Sequence, residues 1–185
     1  MNLWKILFRF SGWKFEIRVE VRDKCVICVA PHTSNWDFLI GLFAYRSIGR
    51  KANFLMKDFW FFFPLKYLLR ALGGIPVPRK RKGSSLTSML IDRFKNSRYI
   101  NLAVTPEGTR SATSDWKTGF LYIAQGADVP VVLAVIDYSR KKVIIDKEIN
   151  KIIDISTSLQ EIKNYYSTYS DVAKYPEKFK TIWNN

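Results

Sequence analysis

Short apolar runs alternate with helical patterns along this chain, and this alternation constrains its fold more than any other feature of the sequence. Residues 25–30 and 100–105 are almost continuously apolar, as buried strands are, and residues 15–21 alternate as a half-buried strand does. Because strands separated by helices are typical of α/β proteins, we predict a single domain over residues 1–185 with a mostly parallel or mixed central sheet flanked by helices. Further strands are predicted at residues 52–56, 75–78, 129–136 and 143–145, and helices at residues 35–46, 58–72, 84–95, 117–125 and 158–169.

The composition excludes several classes of protein. With 48% hydrophobic residues, a chain of 185 residues can bury a core and is not expected to be disordered. Two cysteines and one histidine are too few for a disulfide-rich scaffold or an ordinary four-ligand zinc site. Cys25 and Cys28 lie three residues apart in a predicted strand and point to opposite faces, so we interpret them as core residues. A net charge of +14 with 15% aromatic residues indicates an anionic partner with an apolar part: membrane lipid, an acyl thioester carrier or nucleic acid.

The sequence favours contact with a membrane surface over a segment that crosses the membrane. A crossing helix needs about 20 mostly apolar residues, and the longest apolar run, residues 59–65, has seven. For this aromatic run we consider lipid contact, the lining of an acyl-chain groove and core packing. Residues 1–14 combine apolar side chains such as Trp4 and Phe8 with basic ones, which suits an interfacial helix; a helix docked on the domain is the alternative. We recognise no signal peptide and expect a cytoplasmic protein that is peripherally associated with the membrane.

A first polar loop follows the strand predicted at residues 25–30 and contains His32, and Asp37 lies five residues further on. Functional groups of open α/β sheets gather in loops after the carboxyl ends of the strands. Histidine is the side-chain type whose ordinary pKa lies near neutrality, so His32 suits a general base, and a nearby Asp37 carboxylate would fix its tautomer. The alternative is structural: Ser34 caps the following helix, and Asp37, three residues on, completes a capping box.

A second polar loop, residues 105–110, carries Glu107 and Arg110 on either side of Gly108. Glycine permits a positive φ, which lets both side chains face one pocket. Arg110 can bind a phosphate through two hydrogen bonds, and Glu107 can orient a hydroxyl. The alternative is a tight turn with a surface ion pair.

A basic segment precedes the second loop. Seven basic residues and one acid, Asp92, lie between Arg79 and Arg98 inclusive. This surplus of positive charge suits phosphate groups, and a solvated basic loop is the alternative.

Four short blocks occur along the chain at residues 32–37 (HTSNWD), 73–79 (GGIPVPR), 106–110 (PEGTR) and 129–132 (VPVV). Their order and content resemble the glycerolipid acyltransferases, the lysophospholipid acyltransferases similar to 1-acylglycerol-3-phosphate acyltransferase. Each block alone is weakly specific, whereas the ordered set, which covers residues 31–134, is specific. Two positions depart from the family pattern: Pro78 stands where an acid usually precedes the arginine, and Thr105 stands where a phenylalanine often precedes the proline.

The resemblance implies a glycerol-3-phosphate acyltransferase-like fold and a transfer of a fatty acyl chain from acyl-CoA or acyl-carrier protein. The implied acceptor is a hydroxyl of a lysophospholipid such as 1-acylglycerol-3-phosphate. It further implies that His32 is the general base, that Asp37 orients it, and that neither an acyl-enzyme, a metal nor a resident cofactor takes part. Arg79 would bind the acceptor phosphate, and Lys57 would add positive charge. The implied substrate-binding residues are Lys57, Arg79, Glu107, Gly108, Thr109 and Arg110.

Alternative functions stay open on the sequence. The acceptor can be a lyso-lipid other than a phosphatidate precursor. A basic nucleic-acid-binding protein would explain the charge and the aromatic residues but not two polar loops after buried strands, so nucleic acid is not the expected partner. A thioester hydrolase would use water as the acceptor, and a non-catalytic relative would bind lipid without turnover.

Overall fold

The computed structural model describes residues 3–78 and 84–181, and these residues form one mixed sheet flanked by helices. The strands are β1 (Lys14–Ile17), β2 (Lys24–Val29), β3 (Asn53–Lys57), β4 (Gly74–Val77), β5 (Ile100–Val104), β6 (Val131–Asp137) and β7 (Lys142–Ile149). The helices are α1 (Leu3–Phe10), α2 (Asn35–Ser47), α3 (Leu65–Leu72), α4 (Ser84–Asn96), α5 (Gly119–Ala127) and α6 (Ile155–Ser167). The predicted α/β fold with a mixed central sheet is confirmed.

The strand order places β2 near the middle of the sheet. The described strands lie in the order β1-β7-β6-β2-β5-β3-β4. Within this sheet β6 and β7 form an antiparallel hairpin, and every other neighbouring pair is parallel. The carboxyl ends of β2, β5 and β6 therefore lie at one edge, and the loops that follow them leave the sheet side by side.

The side chains of β2 divide between two apolar cores. Cys28 packs with residues of α4, α5 and α6 on one face of the sheet, and Cys25 packs with Tyr45 of α2 on the other. Both thiols are free and buried, and burial raises the pKa of Cys25 to about 12. The interpretation of the two cysteines as core residues is confirmed.

The aromatic segment departs from the single helix predicted over residues 58–72. A short 3₁₀ turn (Asp58–Trp60) comes first, and Pro64 stands immediately before α3. Proline has no N–H and its ring clashes with the preceding turn, so one helix does not continue through it. At the other end of α3, Gly73 has a φ of 112°, and a Cβ there would lie 2.2 Å from the carbonyl oxygen of Ala52. Glycine is therefore required at position 73.

Helix α1 lies against α2. Phe8 is buried, and the ring centroid of Trp4 is 5.2 Å from that of Phe43, whereas Leu3 and Phe10 are exposed. Trp4 and Phe8 therefore dock α1 on the domain, as the alternative to an interfacial helix predicts. Leu3 and Phe10 lie on the outer surface of α1. Over residues 3–78 and 84–181, no helix is both long enough and apolar enough to cross a membrane.

Candidate active site

The two polar loops of the sequence meet at the carboxyl edge of the sheet. Strands β2 and β5 are parallel neighbours, with Cys28 opposite Val104. The loops are in direct contact, because the backbone N–H of His32 donates to the Glu107 carboxyl, 3.0 Å from Oε1 and 3.3 Å from Oε2. Of the residues predicted from the sequence, the structure brings His32, Asp37 and Glu107 together.

His32 and Asp37 are hydrogen-bonded at the start of α2. Nδ1 of His32 lies 3.1 Å from Oδ2 of Asp37, and the two side chains are 17% and 2% exposed. The capping box is present as well: the Ser34 side chain accepts from the Asp37 N–H, and the Asp37 carboxylate accepts from the Ser34 N–H. The Ser34 hydroxyl also accepts from the Trp36 N–H. The local structure thus contains both arrangements that the sequence left open, with one carboxylate serving the helix start and the imidazole.

Four hydrogen bonds hold the Asp37 carboxylate. Oδ2 accepts from the backbone N–H groups of Thr33 and Ser34, each at 2.9 Å, and from His32; Oδ1 accepts from the Tyr138 hydroxyl at 2.5 Å. Burial raises the pKa of Asp37, but the hydrogen bonds outweigh burial and bring the pKa below its ordinary value. An ionised carboxylate only accepts, so Nδ1 of His32 carries a hydrogen, and in the neutral imidazole this leaves Nε2 as the nitrogen with a lone pair.

Tyr138 is a site residue that sequence reasoning missed. It lies 101 residues from Asp37 along the chain, so no local spacing connects the two. Burial, followed by the hydrogen bond to Asp37, raises the pKa of the Tyr138 hydroxyl far above its ordinary value, and the hydroxyl stays a donor. The signal that points to it is topological: Tyr138 follows β6, whose carboxyl end shares an edge with that of β2.

The Glu107 carboxyl is buried against the backbone of the His32 loop. The residue is 3% exposed, and loss of hydration raises its pKa to about 8; the hydrogen bond from His32 opposes this shift, and the Asp37 charge adds to it. The carboxyl turns inward to the His32 backbone instead of facing a pocket that it shares with Arg110.

Residues 108–110 of the second loop lie at the surface. Gly108 has the positive φ expected for this turn, 64°. The Thr109 hydroxyl accepts from the Ser111 N–H at 3.2 Å. The Arg110 guanidinium is exposed and donates to the side chain of Asn35, the first residue of α2. A cation therefore lies beside the amino end of α2, close to the His32 loop.

Of the other two expected phosphate ligands, the structure describes only Lys57. Lys57 is exposed at the carboxyl end of β3, opposite Val77 of β4. Arg79 lies outside the described residues, as do residues 80–82.

An apolar cavity lies between α2 and the sheet, and His32 and Asp37 form part of its wall. Its volume is about 410 Å³. Its apolar lining includes Ile27, Phe38, Leu42, Phe54, Ala103 and Ile136. The aromatic run at residues 59–65 is not part of this lining, so the expectation that it lines an acyl-chain groove does not hold for this cavity.

Comparison with known proteins gives one family. A sequence model described as Acyltransferase matches residues 14–137, which is more than half of the chain. The match runs from β1 to the end of β6 and includes both polar loops. A search of curated proteins found no match to the chain.

Proposed function

The chain belongs to the acyltransferase family, which includes the glycerolipid acyltransferases, and from this premise we propose the reaction that it catalyses. It moves a fatty acyl chain from acyl-CoA or acyl-carrier protein to a hydroxyl of a lysophospholipid such as 1-acylglycerol-3-phosphate. One observation carries the proposal: the His32–Asp37 pair forms part of the wall of an apolar cavity of about 410 Å³. A proton acceptor beside an apolar cavity suits attack by a hydroxyl on a long-chain acyl group.

In the proposed reaction His32 is the general base. Nε2 takes the proton of the acceptor hydroxyl while its oxygen attacks the thioester carbonyl carbon and the C–O bond forms. The C–S bond then breaks, and the proton passes from Nε2 to the sulfur, which leaves as a thiol. Asp37 holds the imidazole tautomer and stabilises the transient imidazolium. Because the acceptor is itself the nucleophile, no covalent acyl-enzyme forms.

The cavity and the surface cations receive different parts of the substrates. The acyl chain lies in the cavity, where each buried methylene contributes about 0.8 kcal/mol. The acceptor phosphate binds at the loop of Gly108, Thr109 and Arg110, since a guanidinium can hold a phosphate through two hydrogen bonds. Lys57 and Arg79 add positive charge for the same phosphate.

Thiol release from acyl-CoA and acyl-carrier protein, measured with and without a panel of lyso-lipids, tests this proposal. We expect release by the wild type only when a lyso-lipid is present, and mass spectrometry of the acylated product identifies the acceptor. His32→Ala and His32→Gln should both abolish release, and circular dichroism checks their folds. Release without any lyso-lipid would indicate a hydrolase. No release with any pair, together with salt-dependent binding of DNA or RNA, would favour a nucleic-acid-binding protein.

We also propose that the protein rests on an anionic membrane surface through an aromatic face. This face consists of the exposed side chains of Phe59, Trp60, Phe62, Phe63, Tyr67 and Leu68. Phe63 is 74% exposed and its ring contacts that of Tyr67, with centroids 6.2 Å apart. Exposed apolar side chains that cluster in this way mark interaction surfaces, whereas single ones do not. Arg70 is exposed on α3, the helix that carries Tyr67 and Leu68, and Lys66 Nζ lies 5.1 Å from the Tyr67 ring centroid. Aromatic rings beside cations suit the headgroup region of an anionic bilayer.

Co-sedimentation with vesicles tests the aromatic face. Phosphatidylcholine vesicles with and without phosphatidylglycerol are the probe, and the wild type should bind the anionic ones more strongly. The double change Phe62→Ser and Phe63→Ser should weaken binding, whereas Ile153→Ser, at a residue 83% exposed outside this face, should not. Phe10→Ser tests the contact expected for residues 1–14. Wild-type binding by the double variant would contradict the proposal for this face.

A further inference from the structure

The Asp37 carboxylate has a partner that none of the four sequence blocks contains. The Tyr138 hydroxyl donates to Oδ1 at 2.5 Å, while Oδ2 faces Nδ1 of His32. The carboxylate thus lies between a phenol and the imidazole. Tyr138 is one residue beyond the stretch that matches the acyltransferase family, residues 14–137.

The position of Tyr138 is fixed from several sides. Its backbone N–H donates to the carbonyl oxygen of Val172 at 2.9 Å, which attaches it to the segment after α6. Its ring packs edge-on against Trp13, with centroids 5.2 Å apart and planes at 89°. The turn that begins at Tyr138 is itself held by Asp137, whose Oδ1 accepts from the Ser139 hydroxyl and the Arg140 N–H. The phenol is therefore presented to Asp37 in one orientation.

A second contact from the same region reaches the His32 loop. The Tyr175 N–H donates to the Thr33 hydroxyl oxygen at 3.2 Å, and Val172, three residues earlier, holds Tyr138. Thr33 of the loop and Asp37 in the first turn of α2 are thus contacted from the part of the chain after β6. The loop is supported on both sides, since Glu107, in the loop after β5, accepts from the His32 N–H.

From this arrangement we infer that Tyr138 is a positioning residue for the general base, acting through Asp37. By holding Oδ1, the phenol prevents rotation of the carboxylate and keeps Oδ2 directed at Nδ1 of His32. It also takes up part of the negative charge, which sets how strongly Oδ2 attracts the Nδ1 proton. Tyr138 touches neither substrate in this scheme. The kinetic consequence rests on the function proposed above, whereas the effect on His32 does not.

Tyr138→Phe tests the inference, because it removes the hydroxyl and leaves the ring to pack against Trp13. The matched control is Tyr122→Phe, at a half-exposed tyrosine of α5 away from the site. We expect Tyr138→Phe to lower kcat about tenfold with little change in KM, which corresponds to about 1.4 kcal/mol in the activation free energy. Tyr122→Phe should leave both constants unchanged.

NMR provides a readout that a merely structural role would not move. The chain has one histidine, so the Nδ1 proton resonance of His32 is unambiguous. We expect this resonance to shift in Tyr138→Phe and to stay in place in Tyr122→Phe. An unshifted resonance would overturn the inference, whether or not the melting temperature of Tyr138→Phe is lowered. So would a shifted resonance with wild-type kcat. If the wild type itself transfers no acyl group, the proposed function fails, and the resonance alone decides whether Tyr138 positions His32.

Discussion

Replacing Glu107 by glutamine should stabilise the protein at alkaline pH and have little effect near pH 5. Burial raises the pKa of this carboxyl from 4.5 to about 8 in the folded protein. In the unfolded chain the carboxyl loses its proton near the ordinary pKa, and in the folded protein it does so only near pH 8. The unfolded state therefore binds fewer protons between these values, and the free energy of unfolding falls as the pH rises through them.

The size of this effect follows from the two pKa values. Each pH unit between them lowers the free energy of unfolding by about 1.4 kcal/mol. Between pH 5 and pH 8 the wild type should lose about 3 to 4 kcal/mol through this one group, a large part of the roughly 5 to 15 kcal/mol that holds a typical domain folded. Glutamine has no proton to lose, and its carbonyl oxygen can still accept from the His32 N–H.

Urea denaturation at pH 5, 6.5 and 8 measures the effect. The comparison is between the wild type, Glu107→Gln and Glu177→Gln, whose carboxylate is exposed. The stability gained by Glu107→Gln over the wild type should grow by about 3 kcal/mol across this range, whereas the difference for Glu177→Gln should stay flat. A gain that does not grow with pH would refute the argument that Glu107 is buried as an uncharged acid.

Three further changes test other parts of the structure. Asp37→Asn should lower kcat about a hundredfold or more, because an amide no longer fixes the Nδ1–H tautomer; steady-state kinetics measures it. Gly41→Leu adds a side chain to the cavity wall, where a Cβ would have its nearest neighbour 4.0 Å away, and should shift kcat/KM toward shorter acyl donors by about tenfold. Gly73→Ala should lower the free energy of unfolding by about 2 kcal/mol or more in urea denaturation, since its Cβ would lie 2.2 Å from the Ala52 carbonyl oxygen. An unchanged kcat, chain-length preference or denaturation midpoint would contradict the respective prediction.

The sequence predicts those strands that consist mainly of apolar residues, because an apolar run indicates a buried strand by itself. β2 and β5 are almost continuously apolar and lie close to their predicted bounds. β7 was predicted only at residues 143–145, yet it continues to Ile149. Its later residues Lys147 and Glu148 are charged, and they extend because β6 pairs with them through Leu133 and Val132. The length of β7 is therefore set by its pairing with β6, which the local sequence pattern of β7 does not reveal.

In the candidate site, too, contacts between residues close in sequence were predictable, whereas contacts between distant residues were not. His32 and Asp37 are five residues apart, so their contact follows from the start of one helix and was accessible from spacing. Glu107 is 75 residues from His32, and the sequence gives its loop but not the direction of its carboxyl. Tyr138 comes to Asp37 only through the order of the strands, which becomes known when the sheet is known.

The pairing of β1 with β7 sets a minimum length for any working fragment of this protein. The family match ends at residue 137, and β7 begins at Lys142. A recombinant fragment cut at that boundary would leave β1 without its hydrogen-bonding neighbour and would expose one side of β6, an open edge that favours aggregation. It would also lose Tyr166, whose hydroxyl donates to the carbonyl oxygen of Cys28 at 2.6 Å. The unit that folds is therefore longer than the stretch that matches the family, and a fragment for expression should extend past α6 to at least Tyr175, whose N–H donates to Thr33.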